Sequence, residues 1–351
     1  MKIKTAVIQV LLYIVSLLSA NAMNDPASAP FSVTFLNVGQ GDSALVECGG
    51  HSLLIDGGDA NASSIVYSAL QANHVEYLDY MLATHTDADH VRGLFGAFNA
   101  AEVGTVYCNT EESDDTDFTE LKAYAEKFGN TIVRLQAGNS FSLGDAEVQV
   151  LAPICLGDKE NNNSIVVRIV YGNTAFLFMG DAEEDEEYAI LNSGAELRCD
   201  VIKIGHHGSR NSTTTKLLQA SSPDYAIISV GKDNGYKHPS AEALNRLKEC
   251  GVQVFRTDLQ GQIICESNGK TVSVTTEKQT AEDVFSSPTA PTEPPVLEDI
   301  QTYVLNTSSR KFHYENCDSV KEMKEKNKQV FKGSREEIIG MGYKPCGVCQ
   351  P

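Results

Sequence analysis

The chain has 351 residues with a formal net charge of −19, and hydrophobic residues make up 42% of it. This length and apolar content predict a large globular domain with a smaller one beside it. The negative field repels nucleic acid at long range, which excludes binding through overall positive charge, so a phosphate-bearing substrate must be held by local cations such as bound metals.

The first residues, MKIKTAVIQVLLYIVSLLSANA, predict a signal peptide over residues 1–22. A basic start is followed by an apolar run and by Ala20-Asn21-Ala22, which has the small-x-small form of a cleavage site. Cleavage near Ala22 predicts a secreted, extracellular protein. The alternative is an uncleaved membrane anchor, although an apolar run of roughly 16 residues is short for a full span of about 20.

Short strands and helices are mixed from Phe31 onward, which predicts a layered α/β domain over residues 31–278. The predicted strands are FSVTFLNV, SALVEC, HSLLID, EYLDYMLATH, TIVRL, AEVQVLAP, SIVVRIVYG, TAFLFMGD, DVIKIGHHGS, YAIISVG and VQVFRTD. The predicted helices are SSIVYSALQANH, AEEDEEYAIL, DFTELKAYAEKFG and SAEALNRLKECG, of which the last two end at glycine as helices often do.

Polar side chains follow three of these apolar strands where each strand ends. They are His85, Asp87, Asp89 and His90 in ATHTDADH, Asp181 in FLFMGD, and His206 and His207 in IGHHGS. Open α/β sheets keep ligands at such ends, and imidazole with carboxylate suits zinc or manganese. The alternatives are a solvated acidic turn at the first strand and a helix cap at Asp181. Three such ends together predict a metal site.

Eight segments in order resemble the metallo-β-lactamase fold hydrolases, and among them the extracellular hydrolase domain of the ComEC competence proteins. The segments lie between about Phe31 and Thr275 and read LNVGQGDSALVE, LLIDGGD, ATHTDADHVRG, NNNSIVV, FLFMGDAE, DVIKIGHHGS, NGYKHPS and VFRTD. The resemblance implies an αββα sandwich with two divalent metals at one edge of its two sheets.

The same resemblance implies which residues bind the metals. The first metal takes His85, Asp87 and the bridging Asp181; the second takes Asp89, His90, Asp181 and one of His206 or His207. These ligands together form the metal cage, and Asp56 is implied to orient them by hydrogen bonding without binding metal itself. The broad family has a histidine where Asp87 stands and another in the region of Asn163 and Ser164. The resemblance therefore implies that Asn163 or Ser164 contacts metal, water or substrate. The harder ligands favour manganese as readily as zinc.

Two-metal hydrolysis of a phosphodiester needs a proton acceptor and a proton donor besides the metals. Asp89 is the candidate that accepts a proton from the attacking water. His238 in NGYKHPS is the candidate donor to the leaving oxygen, with a structural loop contact as its alternative. Gln40 and Asp42 in VGQGDS are expected to border the cage, although Asp42 also suits a turn cap.

A second module follows a linker rich in Pro, Thr and Ser over residues 279–300. Residues 301–351 resemble the Ada-type zinc-binding domain in their cysteines. His313, Cys317, Cys346 and Cys349 predict one structural zinc, with a Cys346–Cys349 disulfide as the alternative. Its mildly basic balance suits contact with a polyanion such as DNA or teichoic acid, and the alternative is that the module is purely structural. Six cysteines remain, an even number that permits disulfides: Cys48, Cys108, Cys155, Cys199, Cys250 and Cys265.

These observations predict an exported two-metal hydrolase of phosphodiesters, most concretely a ComEC-like nuclease acting on extracellular, possibly single-stranded, DNA. No transmembrane channel segment is present in the sequence, so the chain alone is not expected to transport DNA. A related hydrolase of small substrates, such as a phosphorylcholine esterase, lactonase or β-lactamase, is the second hypothesis. The third is a non-catalytic surface-binding protein, which the complete ligand set disfavours.

Overall fold

The computed structural model describes residues 31–157, 159–287, 301–315, 317–333, 338, 341–346 and 348–349. The predicted signal peptide and most of the predicted linker, 288–300, lie outside the described residues. The chain divides into two compact units after residue 288. Residues 279–287 therefore belong to the large unit rather than to a free linker, since Arg256 donates hydrogen bonds to the carbonyls of Val284 and Ser286.

Nineteen strands and nine α-helices are formed by the described residues. In chain order the strands are β1 (Phe31–Phe35), β2 (Ala44–Cys48), β3 (His51–Ile55), β4 (Tyr77–Leu82), β5 (Glu102–Cys108), β6 (Ile132–Arg134), β7 (Ser140–Leu143), β8 (Ala146–Ala152), β9 (Val166–Tyr171), β10 (Thr174–Phe178), β11 (Val201–Lys203), β12 (Tyr225–Ile228), β13 (Gln253–Arg256), β14 (Ile263–Ser267), β15 (Val272–Thr276), β16 (Gln301–Asn306), β17 (Lys311–Tyr314), β18 (Lys328–Gly333) and β19 (Lys344–Pro345). The helices are α1 (Ser63–Ala72), α2 (Ala88–Val91), α3 (Leu94–Ala100), α4 (Thr116–Lys127), α5 (Glu184–Ser193), α6 (Thr215–Ser221), α7 (Ala241–Glu249), α8 (Thr257–Gln260) and α9 (Asp318–Lys321).

Two large sheets form the centre of the first unit. One has eight strands in the order β15-β14-β1-β2-β3-β4-β5-β6, and the other has seven in the order β13-β12-β11-β10-β9-β8-β7. Within them, β3 to β6 run parallel, as do β10 to β13. Parallel neighbours place their C-terminal ends at one edge of a sheet, which is where ligand sites collect.

The two sheets face each other across an apolar core. Alternating side chains of β1 point inward, and Phe31 and Phe35 meet Phe176 and Phe178 of the opposite sheet with ring centroids 4.9 and 5.8 Å apart. A second core lies between the outer face of the first sheet and helices α1, α3 and α4, and a third lies between the second sheet and α5, α6 and α7. The layers are therefore helix, sheet, sheet, helix, as the αββα expectation required.

The second unit is a four-stranded sheet in the order β18-β16-β17-β19. Tyr303, Leu305, Phe312, Ile338 and Tyr343 form its small core. Such a core is too small to stabilise an isolated module by itself, which makes a structural metal valuable there. Among all described residues, no helix has the length and apolar character needed to cross a membrane.

Candidate metal centre

The buried residues His90 and His207 both direct the ring nitrogen Nε2 towards the same region. Nδ1 of His90 lies 2.8 Å from a carboxylate oxygen of Asp56, and Nδ1 of His207 lies 3.0 Å from the carbonyl of Ser229. A carboxylate or carbonyl only accepts hydrogen bonds, so the proton of each neutral ring belongs on Nδ1. This leaves the Nε2 lone pair free, which is the arrangement found in metal-binding histidines.

His85 joins this pair through Thr84. The Thr84 hydroxyl donates to Asp56 at 2.8 Å and lies 3.1 Å from Nδ1 of His85. The rings of His85 and His90 are 4.1 Å apart between centroids. A single buried carboxylate, Asp56, therefore orients two of the three imidazoles, as expected for a residue that supports the cage from behind.

The inward-facing atoms of the cage lie near one another but form no hydrogen bonds within the described part of the chain. Nε2 of His85, His90 and His207 and Oδ1 of Asp181 are buried without a hydrogen bond to any described residue. Each uncompensated buried polar atom costs roughly 1–3 kcal/mol, so four in one place are typical of a ligand-binding site. Imidazole nitrogen and carboxylate oxygen are donors that zinc and manganese accept. The residues therefore fit the divalent metals that the resemblance implied.

Asp181 occupies the bridging position between the histidines. Its Oδ1 lies 3.3 Å from Nε2 of His90, and its Oδ2 lies 3.6 Å from Nε2 of His207. It does not cap a helix, because α5 begins at Glu184 with Glu183 before it. The ligand atoms of His85, His90 and Asp181 fall within 4.8 Å of one another.

Asp89 and Asp87 lie near different histidines of the cage and differ in exposure. Asp89 lies 3.3 Å from Nε2 of His207 and forms a second compact group with His90 and His207. Asp87 lies 3.6 Å from Nε2 of His85, and its side chain is 47% exposed. Asp87 is therefore the more exposed of these two carboxylates, since the Asp89 side chain is 32% exposed.

The structure distinguishes between the two adjacent histidines. His207 is buried and supplies a ligand atom to the second group. His206 is half-buried on the rim, where Nδ1 contacts Asn161 and Glu183 and Nε2 lies 3.7 Å from Asp181. Both residues have positive φ, 47° and 52°. Such strain costs about 1 kcal/mol or more per residue and is typical of functional sites.

Carboxylates around the cage favour positive charge within it. Burial would lower the pKa of His207, but the charges of Asp181 and Asp42 raise it to about 10. The pKa of His90 is also raised, by Asp181 and Asp56 against the effect of burial. The carboxylates thus stabilise a positive charge at these imidazoles.

We expect metal binding at neutral pH to release protons, because imidazoles with raised pKa values are protonated there and must become neutral to bind. Affinity should therefore strengthen as pH rises towards about 10, the raised pKa of His207. Calorimetric titration of zinc into metal-free protein, in two buffers of different ionisation enthalpy, measures the number of protons released. Equal heats in the two buffers would contradict the expectation.

The pKa values of Asp89 and His238, the two residues expected to transfer protons, do not suit that role. Burial would raise the pKa of Asp89, but the neighbouring imidazoles of His207 and His90 lower it, so Asp89 fits a ligand better than a base. Burial together with the charges of His206 and His207 lowers the pKa of His238 to about 4. At pH 7 His238 is neutral and can donate a hydrogen bond, but it is not the protonated acid that the sequence suggested.

Asn163 and Ser164 have different positions. The amide of Asn163 closes its own loop, accepting from Gly157 N–H at 2.7 Å and donating to the Gly157 carbonyl and to Glu160. It does not reach the cage, which corrects the expectation for this residue. The Ser164 hydroxyl accepts from Asp181 N–H at 3.0 Å and lies 3.5 Å from Nδ1 of His85. Ser164 therefore positions the ligands.

The VGQGDS loop supports the cage from outside. Gln40 accepts a hydrogen bond from Gly231 N–H at 3.2 Å. Asp42 is buried behind the site, 3.1 Å from Nδ1 of His207 and 2.5 Å from Nζ of Lys203. Both contacts indicate positioning residues rather than groups that touch a substrate.

Lys203 and Glu160 are site residues that the sequence analysis missed. Lys203 donates to the Ile204 carbonyl at 2.7 Å as well as to Asp42. Its signal was present, since a lysine inside the apolar strand DVIKIG demands a buried partner. Glu160 accepts hydrogen bonds from Thr86 and Asn109 and so holds the turn after His85. No sequence pattern marks that contact.

Replacing Asp56 by alanine is expected to weaken metal binding by roughly 10–100-fold, as loss of a supporting carboxylate usually does. His90 would lose the acceptor that fixes its tautomer and orientation. Competition with a chromophoric chelator measures the affinity, and Asp145→Ala on an exposed turn is the control. Unchanged affinity in Asp56→Ala would show that the histidines need no such support.

The second unit contains its own group of four metal donors. The ligand atoms of His313, Cys317, Cys346 and Cys349 lie within 4.8 Å of one another, and both ring nitrogens of His313 are buried without a described partner. Burial would raise the pKa of Cys346, but backbone N–H groups, including that of Val348 at 3.4 Å, and neighbouring thiols lower it to about 7. A thiolate-prone cysteine suits tetrahedral zinc.

All nine cysteines lie in the described ranges, and no disulfide joins any of them. All nine are free, so neither the Cys346–Cys349 bridge nor any pairing of the other six is present. Burial raises the pKa of Cys108, Cys199 and Cys265 to about 12, which makes these core thiols unreactive. The even number of remaining cysteines therefore did not indicate a disulfide framework.

Replacing Cys346 by serine in the full chain is expected to remove about one zinc per chain, because serine is not a thiolate donor. The metal content after dialysis, measured by mass spectrometry, tests this. Cys250→Ser, at an exposed cysteine, should retain the zinc. Equal zinc in the two variants would contradict a structural site at His313, Cys317, Cys346 and Cys349.

Comparisons with known proteins show related sequences. ComE operon protein 3 of Bacillus subtilis is 29% identical over 263 residues, covering 67% of this chain and 33% of that protein. Competence protein ComA of Neisseria gonorrhoeae is 32% identical over 235 residues, covering 66% of this chain and 32% of that protein. The chain thus spans about a third of the length of these curated relatives.

Among solved structures, the metallo-beta-lactamase fold protein YhfI from Bacillus subtilis matches with a TM-score of 0.48 and 15% identity, covering 68% of this chain and 100% of that one. A family model described as "Metallo-beta-lactamase superfamily" matches residues 36–232, which is more than half of the chain. The chain therefore belongs to the metallo-beta-lactamase superfamily.

Proposed function

We propose that the protein is an exported two-metal phosphodiesterase that acts on DNA, in the manner of the ComEC-like branch. The observation that carries the proposal is the set of buried, unpartnered donor atoms on His85, His90, His207 and Asp181. Carboxylates at Asp87 and Asp89 make the cage harder than one built from histidines alone, which suits phosphate chemistry and manganese as well as zinc. The relatives named for competence support DNA as the substrate.

Each side of the cage has its own role in this proposal. His85, Asp87 and Asp181 would hold one cation, and Asp89, His90, His207 and Asp181 the other. When bound, the two cations supply Lewis acidity and neutralise the charge that develops on the phosphate. Asp56, Asp42 and Ser164 keep the ligands oriented. Neutral His238 donates a hydrogen bond to an oxygen of the phosphodiester.

A substrate panel separates this function from the alternatives. Protein from residue 23 onward, loaded with manganese or zinc, is assayed on single-stranded DNA, bis-p-nitrophenyl phosphate, p-nitrophenyl phosphorylcholine and nitrocefin. The proposal expects metal-dependent cleavage of DNA and of the simple diester. Hydrolysis of nitrocefin without any phosphodiester cleavage would overturn it, and inertness towards all four would favour a binding protein.

Export and the role of the second unit belong to the same proposal. Removal of residues 1–22 would release the enzyme into the medium, where extracellular DNA is an available polyanion. The second unit, with Lys and Arg outnumbering Asp and Glu from Tyr303 onward, would contribute a contact with that polyanion. Mass spectrometry of the protein from the culture medium locates its first residue.

A further inference from the structure

A groove of about 500 Å³ opens beside the metal cage. Among the residues that line it are Arg210, Tyr236, Lys237, His238 and Glu242. The groove meets the cage at His238, whose ring centroid is 5.4 Å from that of His206. A substrate that reaches Asp181 past His206 would therefore extend into this groove.

Tyr236 is the most unusual residue of the groove. Its side chain is 70% exposed, although a large aromatic ring is ordinarily covered. One face stacks on His238, with centroids 5.8 Å apart and an angle of 26° between the planes. A ring backed in this way on one face and open to solvent is a platform for another flat ring.

The loop that carries Tyr236 is held in shape from within. The Asn234 amide donates to the carbonyls of Gly231 and His238 at 2.8 and 2.7 Å and accepts from His238 N–H at 3.0 Å. Gln40 ties the same loop to the VGQGDS turn through Gly231. The platform is thus preorganised, so little conformational entropy is lost when a ligand binds.

Two cations border the platform without partners of their own. The side chains of Arg210 and Lys237 are exposed, and neither makes a hydrogen bond or ion pair with any residue in the described ranges. Glu242 is the acidic residue that also lines the groove. In a chain with a net charge of −19, these two cations give the groove a locally positive balance.

We propose that this groove binds single-stranded nucleic acid, with one base stacked on Tyr236 and the flanking phosphates on Arg210 and Lys237. The inference deepens the proposed function and rests on it, since it places the scissile phosphodiester at the cage. A base within a duplex already stacks on its neighbours, whereas an unpaired base offers a free face. Single strands are therefore the substrate class, and duplexes are bound weakly.

The test compares two oligomers that carry the same number of phosphates. One is oligothymidylate, and the other has abasic tetrahydrofuran residues in place of the nucleosides. Binding to the full chain carrying Asp181→Ala is measured by fluorescence anisotropy, and cleavage is measured with the metal-loaded wild type. Base–aromatic stacking predicts at least about fivefold tighter binding of oligothymidylate, and a similar preference in kcat/KM.

Variants at Tyr236 test whether this residue causes the preference for oligothymidylate. Tyr236→Ala should abolish it, and Tyr236→Phe, which keeps the aromatic face, should retain it. Tyr67→Ala, at an exposed tyrosine outside the groove, is the matched control and should also retain it. Equal binding of the two oligomers, or an undiminished preference in Tyr236→Ala, would overturn the inference. A preference that depends on Tyr236 in a protein that cleaves neither oligomer would instead uphold base stacking and refute the nuclease proposal.

Discussion

Asparagine in place of Asp181 is expected to remove the activity almost completely, with kcat lower by roughly a thousandfold. The substitution keeps the shape of the side chain but removes the charge that lies between Nε2 of His90 and Nε2 of His207. An amide also offers only one oxygen to bridge two cations. The loss should therefore appear in kcat on bis-p-nitrophenyl phosphate and in the affinity for metal.

The matched control for this change is Asp185→Asn. Asp185 lies four residues further along, in the first turn of α5, and its side chain is 76% exposed. It should leave kcat and metal content unchanged within about twofold, because exposed charges contribute little. If Asp181→Asn retained wild-type kcat with full metal content, Asp181 would not bridge the site.

Methionine in place of Lys203 is expected to lower the free energy of unfolding by about 3–5 kcal/mol. The ion pair between Lys203 and Asp42 is almost fully buried, with side chains 4% and 7% exposed. Removing the cation leaves a buried carboxylate whose desolvation is no longer offset by that partner. Urea denaturation of metal-free protein measures the difference.

An exposed ion pair provides the comparison for Lys203. Lys278 and Glu277 lie 3.6 Å apart with side chains 62% and 52% exposed, and Lys278→Met should cost at most about 1 kcal/mol. Because Asp42 also contacts His207, Lys203→Met should weaken metal binding as well. If both lysine variants unfolded at the same urea concentration as the wild type, the buried pair would have no structural role.

Local sequence signals predicted much of the fold. The helix predicted at DFTELKAYAEKFG is α4, which begins after Asp115, whose side chain accepts from Asp117 and Phe118 N–H. The strand predicted at TAFLFMGD is β10, buried along its whole length. Strands β14 and β15 were missed, although they pair with each other as neighbours in sequence; the pairing of β14 with β1 joins segments that are distant in sequence. The seven-residue helices α3 and α6 were too short for a periodic pattern to emerge.

The candidate site was likewise predictable from the sequence only in part. Ligands at strand ends were predictable, because the polarity change after an apolar strand is a local feature. The roles of the residues around them were not, because the fold decides which partner each side chain meets, such as Gly157 for Asn163 and Lys203 for Asp42. His238 suited an acid by its loop position, but its pKa depends on the burial and the neighbouring imidazoles that only the folded chain creates.

The most direct test of the central claim is cleavage of a single-stranded oligonucleotide as metal is added stepwise to metal-free full chain. The account predicts no cleavage without metal and a rate that rises until the cage holds two cations, in addition to the zinc of the second unit. Cleavage at the full rate in metal-free protein would contradict it. So would the absence of cleavage once metal analysis finds the cage filled.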